Sequence, residues 1–427
     1  MVKRAFFRAN IPFSLSSNAE FSDEFIKTLP DKGWSKSEIL GDMILKHINT
    51  SFSNNVVCFS KYVDGIRFSI PTFNASGELS DSGYDFEITE IHVFCFDTGV
   101  GIISFHIPYD SPVDEEALIN TCSTLRCCAE HSSGYGGKAI VQNGEKTFLS
   151  CLADKELTVL LESEFTLFNH YNDNSLRRVD MFTAALCDSD IKNDNTIPPD
   201  NLVYLLANAH DTRDTNIVPD EKDFYRQFDY TRWCFSKRGC SVVSNTINVV
   251  PTNNFLNNRW FESVKTNYFY LFLMVLHQKY AIYNYLNTIA EDTEKTYIKF
   301  NQESLIEFNS KYVFTIASDE QLIQNTYLRM KEINSIDEVY LDLLDEQKRM
   351  FDYSQLKNDE NTEKRNTRLN YVSVIISILC SLSVIFDTVT FFSEQNITLT
   401  QAFSIYDILI ILVLCISVAF IISKRKK

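Results

Sequence analysis

"LNYVSVIISILCSLSVIFDTVTFF", residues 369–392, decides the architecture expected of this chain. Residues 369–386 carry no formal charge, and the apolar character resumes after Asp387 as far as Phe392. At about 1.5 Å of rise per residue, such a helix crosses a hydrocarbon core of roughly 30 Å. A second run, 402–422, carries a single acid, Asp407, near its start and is again long enough. Residues 393–401 between them hold one Glu and no Lys or Arg, so two helices joined by a short polar turn are expected to form a transmembrane hairpin. The alternative is a pair of buried soluble helices.

The flanks orient the hairpin. Lys364, Arg365 and Arg368 precede the first span, and Lys424, Arg425, Lys426 and Lys427 follow the second. The positive-inside rule then places both termini in the cytoplasm of a multi-pass protein of the cell's inner (plasma) membrane. The N-terminal Met-Val-Lys-Arg-Ala-Phe-Phe is too short in apolar residues for a secretory signal. Asn396-Ile397-Thr398 fits a glycosylation sequon by chance, close to both membrane ends. A third apolar stretch, 268–286, is interrupted at His277, Gln278 and Lys279 and reads as a soluble helix buried on most sides.

Upstream, strands and helices alternate. Residues 88–107 place two β-rich runs around Asp97, Thr98, Gly99 and Val100, a hairpin signal. Residues 111–131 start a helix with Ser111 as N-cap and Pro112 in its first turn, burying Val113, Leu118, Cys122 and Leu125. "VDMFTAALC" (179–187) reads as a strand, and 231–245 as a second hairpin turning at Lys237, Arg238 and Gly239. The expected fold is an α/β (or α+β) cytoplasmic sensor domain over 1–250, long stalk helices over 251–368, the hairpin over 369–422 and a basic tail over 423–427. Within the stalk, Ile333, Ile336, Tyr340, Leu343, Gln347 and Met350 follow a 3,4,3,4,3 spacing, a coiled-coil-like seam.

With 427 residues and 45% hydrophobic content, the chain can bury a large core; a net charge of −16 excludes a broad nucleic-acid surface but not a local anion pocket. Eleven scattered cysteines without a Cys-x-x-Cys pair read as free thiols in a reducing compartment. "SGYGGKAI" (133–140) lacks phosphate-loop spacing, and the seven histidines form no hydrolase or metal motif, so the chain is not expected to be an enzyme.

Candidate ligand contacts are Arg177 and Arg178, adjacent guanidiniums at a strand entrance that can fork phosphate oxygens, with Trp233 as an aromatic platform and Arg238 as a second cation. Their bland alternatives are solvated or salt-bridged arginines, core packing and a turn. Candidate pore residues are Asp387, Glu394 and Asp407, where a carboxylate ring would attract cations; interface snorkelling or a helix contact is the alternative.

The whole arrangement, with its short outer loop and "SKRKK" tail, resembles the CorA family of divalent cation channels and transporters. That family's Gly-Met-Asn should fall near 389–396, where this chain has "VTFFSEQN". The departure tells against ordinary Mg2+ uptake, and the chain is more similar to the CorA-like membrane effectors associated with type III CRISPR systems. That resemblance implies a homo-oligomer, a pentamer, acting in antiviral defence. Its cytoplasmic domain would bind a small nucleotide second messenger, an S-adenosylmethionine–AMP conjugate, with Arg177 and Arg178 on the phosphate, and alter membrane permeability. A CorA-type Mg2+ transporter and a membrane-anchored binding protein without a pore are the rival readings. Neither a resident cofactor nor direct nucleic-acid binding is expected.

Overall fold

The structure, a computed structural model, describes residues 1–14, 27, 29–30, 33–37, 41–73, 79–127, 140–141, 144–145, 179–188, 200–210, 219–237, 239–246, 250–291, 295–394, 407 and 410. Two compact units follow one another along the chain, Met1–Gln347 and Lys348–Lys427.

The first unit is built on one sheet. Its strands are β1 (Val2–Ser14), β2 (Ser35–Lys36), β3 (Val56–Phe73), β4 (Leu79–Phe96), β5 (Val100–Tyr109), β6 (Ile140–Val141), β7 (Gly144–Glu145), β8 (Asp180–Cys187), β9 (Phe224–Phe228), β10 (Thr231–Ser236) and β11 (Gly239–Asn245). They lie in the order β7-β6-β3-β4-β5-β1-β8-β11-β10-β9, with β2 on β3. Every described pairing is antiparallel except β8 with β11. The expected hairpin at 88–107 is β4–β5, its turn made possible by the positive φ of Gly99 (78°). The strand at 179–187 and the hairpin at 231–245 also form, as β8 and β10–β11.

β1 is the central strand, and its side chains alternate between two unlike faces. Phe7, Ala9, Ile11 and Phe13 join Ile91, Val93, Ile103, Phe105, Ile107 and Met181 in one apolar core. Helices α2 (Glu115–Cys127) and α3 (Asp200–Asn208) cover that face with Leu118, Cys122, Leu125, Leu202, Val203 and Leu206. Phe13 pairs with Gly101, and a Cβ there would lie 2.2 Å from the Phe13 ring, so the glycine makes room for the phenyl group. The opposite face packs against a helical run that begins with α4 (Val250–Phe255), passes through α5 (Phe261–Ser263) and continues as α6 (Phe269–Glu291). π-helical turns at Leu256–Trp260 and Val264–Tyr268 separate the three. Phe6 meets Phe261 edge-on at 5.4 Å, Phe182 meets Phe272 at 5.3 Å, and Phe96 stacks on His277 at 3.9 Å. As the interrupted apolar stretch implied, Tyr268 to Ile282 are all buried inside this unit.

Two expectations change. The helix expected from Ser111 begins at Glu115, because Val113 is committed to an antiparallel bridge with Val2. Helices α1 (Lys46–Asn55), α6, α7 (Lys295–Tyr312) and α8 (Gln321–Ile333) belong to the first unit, which runs to Gln347. The seam is divided, since Ile333 ends α8 and Ser335 has a positive φ (51°) before α9 (Ile336–Glu394) begins. Within α9 the spacing holds: Ile336 and Leu343 are buried, and Tyr340, Gln347 and Met350 are half-buried.

α9 has 59 residues, and its Ile336–Phe391 stretch is the one described helix long and apolar enough to cross a membrane. None of its most apolar window is buried. Residues 395–406, 408–409 and 411–427 lie outside the described residues, and the second span of the expected hairpin falls among them apart from helical positions 407 and 410. Cys58, Cys95, Cys122, Cys187, Cys234 and Cys240 are buried free thiols, and Cys380 is an exposed one.

Candidate functional site

Arg177, Arg178 and Arg238 lie outside the described residues. Trp233 is fully buried, which is its core-packing alternative rather than a platform open to a ligand. Its ring stacks beside Phe235 at 5.8 Å and tilts against Tyr268 at 4.9 Å. Gln227 explains why: its side-chain carbonyl accepts from both Trp233 Nε1 (2.9 Å) and Trp260 Nε1 (3.5 Å), while its amide donates to Tyr268 Oη. The indoles satisfy their single donors inside the core, a hydrogen-bonded clamp between β9–β10 and the two π-helical turns.

Next to the β10–β11 turn opens a cleft of about 440 Å³ lined by Tyr204, Asn208, His210, Asp223, Phe235, Ser236 and Lys237. The Tyr204 and His210 rings lie nearly parallel, 10° apart in plane with centroids at 6.4 Å. Lys237, at the β10–β11 turn, is the cleft's ammonium group. The volume suits a small ligand, and the lining offers aromatic faces with one ammonium and one carboxylate.

The second concentration of polar groups was not expected. On the sheet face beneath α6, strand register sets Glu90, His106 and Arg8 side by side in one row and His92, Ser104, Asn10 and Asp180 in the next. Arg8 Nη1 donates to His92 Nδ1 at 2.8 Å, which places the imidazole proton on Nε2, 3.3 Å from Glu90 Oε1. Arg8 also lies 3.9 Å from the Glu90 carboxylate and packs its guanidinium over Phe269 at 4.8 Å. Asn10 ties the strands together by donating to the carbonyls of Arg8 and Asp180. From α6, Lys279 Nζ approaches Asp180 at 3.6 Å and donates to the carbonyl of Lys237, and Tyr280 donates to the same carboxylate.

Burial dominates the electrostatics here. It lowers Arg8 to about 10 against the pull of Glu90, raises Glu90, lowers His92 to about 3 with help from Arg8, and pushes His106 well below the usual histidine range. Both imidazoles are therefore neutral at pH 7. Burial likewise holds the Cys58 thiol, 3.0 Å from Ser37 Oγ, at about 12, so it is not a nucleophile. Five buried polar atoms on this face have no hydrogen-bond partner among the described residues: Arg8 Nε, Asn10 Oδ1, Ser104 Oγ, His106 Nδ1 and Asp180 Oδ1, the last of which still faces Lys279 Nζ at 3.6 Å. Each would cost about 1–3 kcal/mol if left dry. No group of three or more His, Cys, Asp or Glu suited to a metal ion occurs among the described residues.

In the second unit, Asp387 is an exposed residue of α9, position 394 is the last described residue of that helix, and Asp407 is exposed. Positions 387 and 394 are one heptad apart and lie within about 20° of each other around the helix axis. Comparison of the chain with family models, with curated proteins and with solved structures gave no match.

Proposed function

We propose that this chain is a homo-oligomeric membrane protein in which the α/β unit senses a ligand, α9 carries its state to the bilayer, and a transmembrane hairpin over 369–392 and 402–422 opens or disrupts it. One observation carries the reading. A single helix starts with Ile336 and Leu343 packed in the sensing unit and ends in an apolar stretch with no buried face. Such a stretch is stable only against lipid or against equally apolar helices, including other copies of itself.

The first span lines the pore in this proposal, and the carboxylates at 387 and 394 form rings that attract cations, with Asp407 on the second helix. The proposed ligand is a nucleotide second messenger, S-adenosylmethionine–AMP, held by Arg177 and Arg178 with Arg238 at the cleft turn. Support for that identity is the resemblance to CRISPR-associated CorA-like effectors, and a cleft of about 440 Å³ opens beside Lys237.

Reconstitution in liposomes tests the proposal. Ion flux appearing only with the nucleotide, and a changed cation preference in Asp387→Asn, are expected. Constitutive Mg2+ flux would favour a CorA-type transporter, and no flux under any condition a membrane-anchored binding protein. In calorimetry, the double change Arg177→Ala with Arg178→Ala should weaken nucleotide binding at least tenfold; equal affinity would remove that pair.

A further inference from the structure

The atoms beneath α6 that lack a hydrogen-bond partner are not scattered. Arg8 stands directly opposite His106, and Asn10 directly opposite Ser104, so four of the five belong to one two-by-two block on β1 and β5. The fifth, on Asp180, is opposite Asn10 on β8. Asn10, Ser104 and Asp180 are fully buried, Arg8 is buried and His106 is partly buried. Arg8 Nε presents a donor, Asn10 Oδ1 and Asp180 Oδ1 present acceptors, and Ser104 Oγ and His106 Nδ1 serve in either sense.

Charge on this face is balanced. Arg8 faces Glu90, Lys279 faces Asp180, and Lys265, which lies over Phe6, pairs with Glu262. A bound ion would break that balance in a desolvated place, whereas a neutral molecule that both donates and accepts would satisfy every group. The block also has a way in: its outer corner, Glu90, is half-buried next to the exposed Tyr62.

We infer that the sheet face beneath α6 is a built hydration site, in which ordered waters bridge Arg8, Asn10, Ser104, His106 and Asp180 and exchange with solvent past Glu90. A buried water takes about three hydrogen bonds, so about two molecules satisfy the five atoms. Water is the right size for the place, because side chains on adjacent strands of one block are separated by only about 5 Å.

Two measurements on the full chain in detergent test this. Removing a buried hydroxyl that bonds to nothing leaves stability unchanged or raises it, whereas removing one that holds a bridging water lowers it. Ser104→Ala is therefore expected to lower Tm by about 2 °C, with His106→Phe moving it in the same direction. A Tm that rises or stays put in both variants overturns the site. In a high-resolution map, water-sized density within 2.6–3.2 Å of Ser104 Oγ and Asn10 Oδ1 supports it. A dry block, or one density larger than water, overturns the assignment, the second by showing a bound solute or ion instead.

Discussion

The two faces of the central sheet are made by the same strands and follow opposite rules. From Ala5 onward, odd-numbered residues of β1 face α2 and α3 in a core of Phe, Ile, Val and Met. Even-numbered residues face α6, where Phe6 gives way to Arg8 and Asn10. Stability on the first face comes from apolar area and close packing, and on the second from ion pairs and hydrogen bonds among buried polar groups. The difference teaches that one strand can belong at once to a dry core and to a buried polar network, and that the two should fail differently.

Acid should separate them most. His92, His106 and His277 all lie on the α6 face, and burial lowers all three, His92 and His277 to about 3. Arg8 adds to the effect on His92 and His106, and Lys265 on His106, whereas His277 is shifted by burial alone. A histidine kept neutral in the fold contributes stability that is fully present above its unfolded value near 6.5 and is lost as pH falls from there toward the folded value. Each costs about 1.4 kcal/mol per pH unit in that window, so denaturant midpoints should fall steeply between pH 6.5 and 5. His277→Phe should flatten the slope by about a third.

On the dry face, Phe7→Ala should cost about 4 kcal/mol in urea unfolding, with no added pH dependence. On the polar face, Lys279→Met leaves the buried Asp180 carboxylate without its counter-ion and should cost about 3 kcal/mol. The further change Asp180→Asn should recover much of that loss, a rescue that no dry-face pair would show. The smallest effect is expected at the turn serving both faces: Gly99→Ala, forced to a φ near +78°, should cost about 1 kcal/mol by thermal melting.

How much of this was readable in the sequence differs along the same line. The β4–β5 hairpin and β8 announced themselves through β-branched and aromatic runs and the Asp97-Thr98-Gly99 turn, all local signals. β1 did not, although it is the central strand. Adjacent Phe6 and Phe7 obscure its alternation, and Arg8 and Asn10 look like residues bound for solvent until α6, more than 250 residues later, covers them. The polar network is assembled from positions 8, 10, 90, 92, 104, 106, 180 and 279, so no spacing motif could reveal it. The helix long and apolar enough to cross a membrane was legible because it is a continuous apolar run, whereas the break at Ser335 was not, since a heptad-like spacing continues across it. Trp233 looked like a ligand platform because aromatic character is visible in a sequence and burial is not.

The two π-helical turns at Leu256–Trp260 and Val264–Tyr268 have a consequence for how this chain tolerates length changes. Each such turn accommodates about one residue more than an α-helical turn. Deleting one residue from either lets the turn revert to α-helix with the residues after it left nearly in phase, whereas a deletion that no wide turn absorbs would rotate everything after it by about 100°. Phe269, Phe272, His277 and Lys279 would swing off the sheet together, and Arg8 and Asp180 would lose their cover. The two wide turns are thus where the helical layer can lose one residue and still keep its phase on the sheet.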